Sequence, residues 1–297
     1  MSRNTEHARL LRLATRASLA VALVLIVAKG VAWWLSGSLA LLAGLTDSLL
    51  DGAASLLNLL AVHYALRPAD EDHRYGHGKA QALSGMAQAL FISVSGVLIG
   101  MQAIERIQNP EPLMSQWPGI IVTLLALALT VALLSFQSRV IKVTGSSAIK
   151  ADSLHYRSDL LLNLSILLAL ALSALGWPQA DAWFGLGIAG YIVWSALQIA
   201  RETFSVLMDQ ELPPDVSAHM LELACTVPGV LGAHDLRTRV SGQVWFVQVH
   251  LELPGSLTLS VAHELCDLAA ATITAQYPQA EVLVHADPQE VVKQAPA

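Results

Sequence analysis

The chain has 297 residues, of which 54% are hydrophobic and only 13% charged, with a formal net charge of −6 at pH 7. Soluble domains carry about 25% charged residues, so this composition excludes an ordinary soluble protein. The acidic balance, with no dense basic cluster, gives no footprint for a nucleic-acid partner.

Six runs reach the roughly 20 residues that a membrane span requires. They lie at about 14–35, 39–66, 80–107, 117–138, 147–174 and 179–201. The basic N-terminus, MSRNTEHARLLRLATR, reads as the flank of the first span rather than a removed signal peptide. A Gly-Ser turn near Gly37, a polar loop over 67–79, NPEPLMSQWP, QSRVIKVTGSS and GWPQAD connect the spans. Arg3, Arg9, Arg12 and Arg16 precede span one; Arg67, Arg74 and Lys79 follow span two; Arg139, Lys142 and Lys150 follow span four; Arg201 ends span six. Cytoplasmic loops carry the excess of Lys and Arg, so both termini of this multi-pass membrane protein are expected in the cytoplasm. Trp33, Trp34, Trp117, Trp177 and Trp183 then fall at the outer face as an interfacial belt, in contact with lipid headgroups.

The expected division is a membrane domain at 1–208 and a cytoplasmic domain at 209–297. Pro213 and Pro214 open a helical pattern in the tail. Two strands follow, around HDLRTRVSG and QVWFVQVHLEL with a hairpin turn at Ser241-Gly242, then the helix LSVAHELCDLAAATITAQY and the strand AEVLVHAD. The order α-β-β-α-β predicts a small α+β domain with helices on one side of the sheet. The fold class is thus a six-helix membrane protein with a cytoplasmic α+β domain. Cys225 and Cys266 form no CxxC and read as reduced core residues of that domain.

Three clusters carry ligand chemistry. Asp47 and Asp51 in span two, and His155 and Asp159 in span five, are each four residues apart. That spacing stacks each pair on one helix face. Ionisable groups at membrane depth are costly and normally face the protein interior or a water-filled path. Facing one another, the pairs offer three carboxylates and one imidazole. Such a set suits Zn²⁺, and also Cd²⁺, Fe²⁺ or Mn²⁺. The competing reading is structural pairing with Lys29, Arg157 or the backbone, the class to which Asp152 is assigned. In the loop PADEDHRYGHGK, Asp70, His73 and His77 have ligand types at short spacing, against the alternative of a solvated loop. In the tail, His234, His250, His285 and Asp287 lie on or beside the expected strands and His263 on the second helix, with Asp287 placed to bridge two ions. His219 reads as surface. A membrane metalloprotease is disfavoured because the chain has no HExxH, so no enzyme activity is expected.

LTDSLLD, RPADEDHRYGHGKAQAL, ADSLHYRSDLLLN, LMDQEL, HDLRTR and VHLEL, in this order, resemble the cation diffusion facilitator family, and within it the bacterial zinc and ferrous-iron efflux pumps. The resemblance implies a homodimer exchanging metal for protons. Asp47, Asp51, His155 and Asp159 would form the transport site, and Asp70, His73 and His77 a second site. His234, His250, His263, His285 and Asp287 would form a binuclear site in a metallochaperone-like domain. Lys79 and Asp209 would be a charge pair tying the membrane domain to the tail. QSRVIKVTGSSAIK lacks the histidines of many eukaryotic members, so metal delivery through that loop is not expected. A metal-sensing membrane receptor that transports nothing is the alternative.

Overall fold

A computed structural model describes residues 3–36, 39–108, 117–174 and 180–292. The expected Gly37 turn, most of NPEPLMSQWP and Trp177 lie outside the described residues. Six long helices come first: α1 (Arg3–Ser36), α2 (Leu39–Ala65), α3 (Ala80–Gln108), α4 (Trp117–Thr144), α5 (Ser147–Ala174) and α6 (Ala180–Leu207). Among the described residues, all but α5 contain a stretch long and apolar enough to cross a membrane.

The chain divides into two compact units: Met1–Pro68 with Ala80–Phe204, and Ala69–Lys79 with Ser205–Ala297. In the helical unit small residues let helices approach closely. Ala89 and Ile92 of α3, Ala151 and Leu154 of α5, and Ile192, Ala196 and Ile199 of α6 form one buried cluster. A second joins Leu11 and Ala14 of α1, Val62 of α2, Val140 of α4, and Ala148 and Ile149 of α5. A Cβ on Gly96 of α3 would lie 2.8 Å from Val193 Cγ2 and 3.0 Å from Ile192 Cγ2, so only glycine fits there. The opposite faces are apolar too: Leu50, Leu90, Phe91 and Ile121 are all exposed.

The second unit contains α7 (Pro214–Cys225), β1 (Gly232–Ser241), β2 (Val244–Leu253), α8 (Leu259–Gln276), β3 (Ala280–Pro288) and the short α9 (Gln289–Val292). The sheet order is β1-β2-β3, antiparallel and then parallel, with α8 as the crossover between the parallel strands. Alternation along β2 sends Val247, Val249, Leu251 and Leu253 into a core shared with Met220 and Ala224 of α7 and Cys266, Ala269 and Ile273 of α8. Gly242, at φ 62°, makes the hairpin turn in the left-handed conformation that favours glycine. Both cysteines are free, but only Cys266 is a core residue; Cys225, at the end of α7, is exposed.

The loop Ala69–Lys79 packs on the β1–β2 hairpin. A Cβ on Gly78 would stand 2.4 Å from the Ser241 carbonyl oxygen, so glycine permits a close backbone approach. The Arg239 guanidinium lies 4.3 Å over the Tyr75 ring, which meets Phe246 edge-on at 5.2 Å. Lys79 Nζ is 2.8 Å from Asp209 Oδ1, and Arg239 reaches the other carboxylate oxygen at 3.7 Å. Asp209 itself adopts φ 57°, a left-handed conformation that aspartate tolerates.

Candidate metal centres

In the helical unit, α2 and α5 bring Asp51, His155 and Asp159 together, with one ligand atom of each within 4.8 Å of the others. His155 Nε2 is 3.0 Å from Asp51 Oδ1 and 3.7 Å from Asp159 Oδ2. Helical periodicity explains the α5 half, because His155 and Asp159 are one turn apart on one face. Asp159 lies on the turn that Asn163 covers, the Asn163 amide donating to the Asp159 carbonyl at 2.8 Å. The fourth expected member behaves differently. Asp47, one turn before Asp51 on α2, is exposed and lies outside this group. Nearby, Lys29 of α1 spends its ammonium on the Gly44 carbonyl at 3.0 Å.

The loop cluster forms as expected. Asp70, His73 and His77 converge, the two imidazole rings 4.6 Å apart. Asp70 Oδ1 accepts the His73 backbone N–H at 2.7 Å and lies 3.3 Å from His73 Nδ1, while Oδ2 is 3.4 Å from His77 Nε2. The His73 N–H holds the Asp70 carboxyl below the usual carboxylate range, with the two imidazoles acting in the same sense. Asp70 therefore stays an anion, the form a cation requires. Gly76, at φ 73°, turns the chain so that His77 comes back onto Asp70. Asp70 and His73 are exposed and His77 is buried.

In the tail, register aligns the histidines. His234 pairs with His250 across β1–β2, and His250 with His285 across β2–β3. Three imidazoles thus form one row on the sheet face opposite the helices, with ring separations of 5.5 and 4.7 Å. Asp287 sits below the row: its Oδ2 is 2.7 Å from His250 Nδ1 and 3.5 Å from His234 Nε2, and its Oδ1 is 3.2 Å from His285 Nε2. His234, His250 and Asp287 form the tight group. His263 is not brought to it. It lies on α8, on the other face of the sheet, largely exposed and 3.5 Å from Asp267 one turn on.

Two acids at this cluster escaped the sequence reading. Glu252 Oε1 is 3.3 Å from His234 Nδ1, and Asp235 Oδ2 is 3.7 Å from His250 Nε2. Glu252 was available as a signal, since a residue two after His250 on a strand shares its face. Asp235 was not, because it sits at a bulge between His234 and Arg237 with φ 45°. The Arg237 guanidinium holds the Asp235 carboxyl below its ordinary range through hydrogen bonds at 3.1 and 3.0 Å.

Residues 15–208 match the family model of the cation efflux transmembrane domain, and residues 212–289 that of the cation efflux protein cytoplasmic domain. The chain is 45% identical to the cation-efflux pump FieF of Klebsiella pneumoniae over 98% of its length and 97% of the relative's. It is 46% identical to the FieF of Escherichia fergusonii over 97% of its length and 96% of the relative's. Among solved structures, a cadmium form of the MamM CTD aligns with 25% of this chain and 95% of its own, at 29% identity and a TM-score of 0.25. The two family models and the FieF relatives extend over nearly the whole sequence. The chain belongs to the cation diffusion facilitator family, the cation efflux proteins.

Proposed function

We propose that the protein exports divalent metal cations by exchange for protons, in a bacterial inner membrane, as a homodimer with both termini in the cytoplasm and its apolar helix faces against lipid. The single observation that carries the reading is the convergence of Asp51, His155 and Asp159 from two helices. Asp47, exposed in this structure but one turn from Asp51 on the same helix face, is the fourth ligand of the proposed site, giving three carboxylates and one imidazole. Zn²⁺ is the expected substrate, with Cd²⁺, Fe²⁺ and Mn²⁺ as competitors, because first-row ions share these ligand types.

Proton coupling follows from ligand chemistry. A cation binds ionised carboxylates and neutral imidazole, so binding releases protons and affinity falls as pH drops. His155 has the reference pKa nearest physiological pH, about 6.5, and is the principal proton carrier. If the site opens alternately to the two sides, an inward proton gradient drives metal outward. Asp70, His73 and His77, and separately His234, His250, His285 and Asp287, supply N and O donors that suit Zn²⁺, and the second set acts as the regulatory site; His263 contributes nothing to it within one chain. The Lys79–Asp209 pair holds the loop and tail in one unit. The match to a cytoplasmic domain labelled for dimerisation supports the homodimer.

Proteoliposomes loaded with a metal-sensitive dye and a pH dye test this across Zn²⁺, Cd²⁺, Fe²⁺ and Mn²⁺. Metal flux coupled to opposite proton movement is expected, abolished by Asp51→Ala or Asp159→Ala and largely kept by His73→Ala. Binding without flux in the intact chain would instead make it a metal-sensing receptor.

A further inference from the structure

Three residues before His155 on α5 stands Asp152, only 1% exposed. A carboxylate buried so deeply normally faces a cation, because burying an unpaired charge is costly. The described partners of Asp152 are instead neutral groups from three other helices. Ser18 Oγ of α1 donates to Asp152 Oδ2 at 2.5 Å, and Gln137 Nε2 of α4 donates to the same oxygen at 2.7 Å. Gln88 of α3 hydrogen-bonds it as well. Gln137 Nε2 also reaches Ser18 Oγ at 3.0 Å, which closes the network. One turn along, Tyr156 donates its hydroxyl to the Ser18 carbonyl at 2.9 Å and meets Ser55 Oγ of α2 at 3.0 Å. A single turn of α5 is thereby tied to α1, α2, α3 and α4, and His155 projects from that same turn to Asp51.

We propose that Asp152 is the positioning residue of the transport site: its buried carboxylate grips α1, α3 and α4 at once and sets the height and rotation of α5, and so the reach of His155 and Asp159 to Asp51. The inference rests on the transport-site reading above. A carboxylate is suited to the task because it is acceptor-only, so several N–H and O–H donors converge on it without conflict. Asparagine in its place can keep one oxygen towards Ser18 and Gln137, which share Oδ2, but it replaces the second acceptor with an N–H₂ group and removes the charge. Residues that orient metal ligands from behind typically change affinity by about 10–100-fold when lost.

The test is zinc transport by the full-length protein in proteoliposomes, with KM and kcat separated, for Asp152→Asn, Gln137→Leu and Ser18→Ala. The last two keep the charge at 152 and loosen the grip. The expected result is a rise in KM of about tenfold for Asp152→Asn and Gln137→Leu, with kcat changed less. The double variant should be no worse than the worse single, because both remove one network. KM within twofold of the parent in both folded variants would overturn the proposal. So would a rise confined to Asp152→Asn, which would make the effect one of charge through space. If Asp152→Asn does not fold, Gln137→Leu and Ser18→Ala decide by the same criterion. Asp51→Ala is the control: if it still transports, the transport-site reading fails independently of what Asp152 does.

Discussion

At the scale of single residues, the polar interior of the helical unit is held by hydrogen bonds that are expensive to break. Tyr156 is 2% exposed, and its hydroxyl serves both Ser55 and the Ser18 carbonyl. Tyr156→Phe strands the Ser55 hydroxyl and removes the second donor to the Ser18 carbonyl, and an unsatisfied buried group costs about 1–3 kcal/mol. Thermal unfolding of the full-length protein in detergent should therefore shift down by several degrees. The loop aspartate supports a prediction with a definite sign. Because the His73 N–H depresses the Asp70 pKa, the stability it contributes is present above the unfolded value of about 3.9 and disappears as pH falls through the lower folded value. Amide protection across residues 69–79 should stay level from pH 7 to 5 and drop only in the acid range below about 4. A loss between pH 7 and 5 would show that histidine charging governs the loop instead. Asp51, His155 and Asp159 were legible in the sequence because their spacing matches the helical repeat. The exposed position of Asp47 was not, since spacing places a residue on a face but does not choose its rotamer.

At the scale of elements, the helices follow from apolar runs and the strands from period-two alternation. Close packing then adds constraints that no run reveals. Gly96 lies against Val193 and Ile192 with no room for a Cβ. Gly96→Leu should destabilise the α3–α6 contact by about 1–3 kcal/mol, as overpacking does, measured as a lower unfolding temperature of the full-length protein. Thiol chemistry separates the two tail cysteines. Burial pushes the Cys266 thiol up, with Asp267 adding to the shift, whereas Cys225 is exposed. A maleimide at pH 7.5 should modify Cys225 and spare Cys266, read by mass spectrometry of the intact chain; equal labelling would contradict the packing of α8 on the sheet. The sequence reading put both cysteines in the core, because a helical pattern at a domain edge does not say which turn is covered. The histidine row shows the reverse case: each strand was expected to carry a histidine, yet only pairing register puts His234, His250 and His285 side by side.

At the scale of the whole molecule, the boundary between the units is not one cut along the chain. The loop Ala69–Lys79 leaves α2 and α3 behind and joins the tail unit. Its anchors are the Gly78 approach to Ser241, the Arg239 stack on Tyr75, and the Lys79–Asp209 ion pair. Gly78→Ala forces a Cβ into the hairpin backbone and should free the loop, seen as faster hydrogen exchange over residues 69–79 with the sheet itself unchanged. Unchanged exchange in the loop would show that the stack and ion pair suffice.

Composition, run length and ligand spacing by themselves determined a membrane helix domain, a small α+β tail and three places where metal-type side chains gather, because each depends only on local periodicity and polarity. Tertiary structure alone decided which of those side chains meet. It drew Asp51 towards His155 and Asp159, aligned three histidines over Asp287, left His263 on the far face of the sheet, and assembled Ser18, Gln88 and Gln137 around Asp152. The physical reason is that contacts between residues distant in the chain are fixed by register and by helix packing, and neither is written in the spacing along one element.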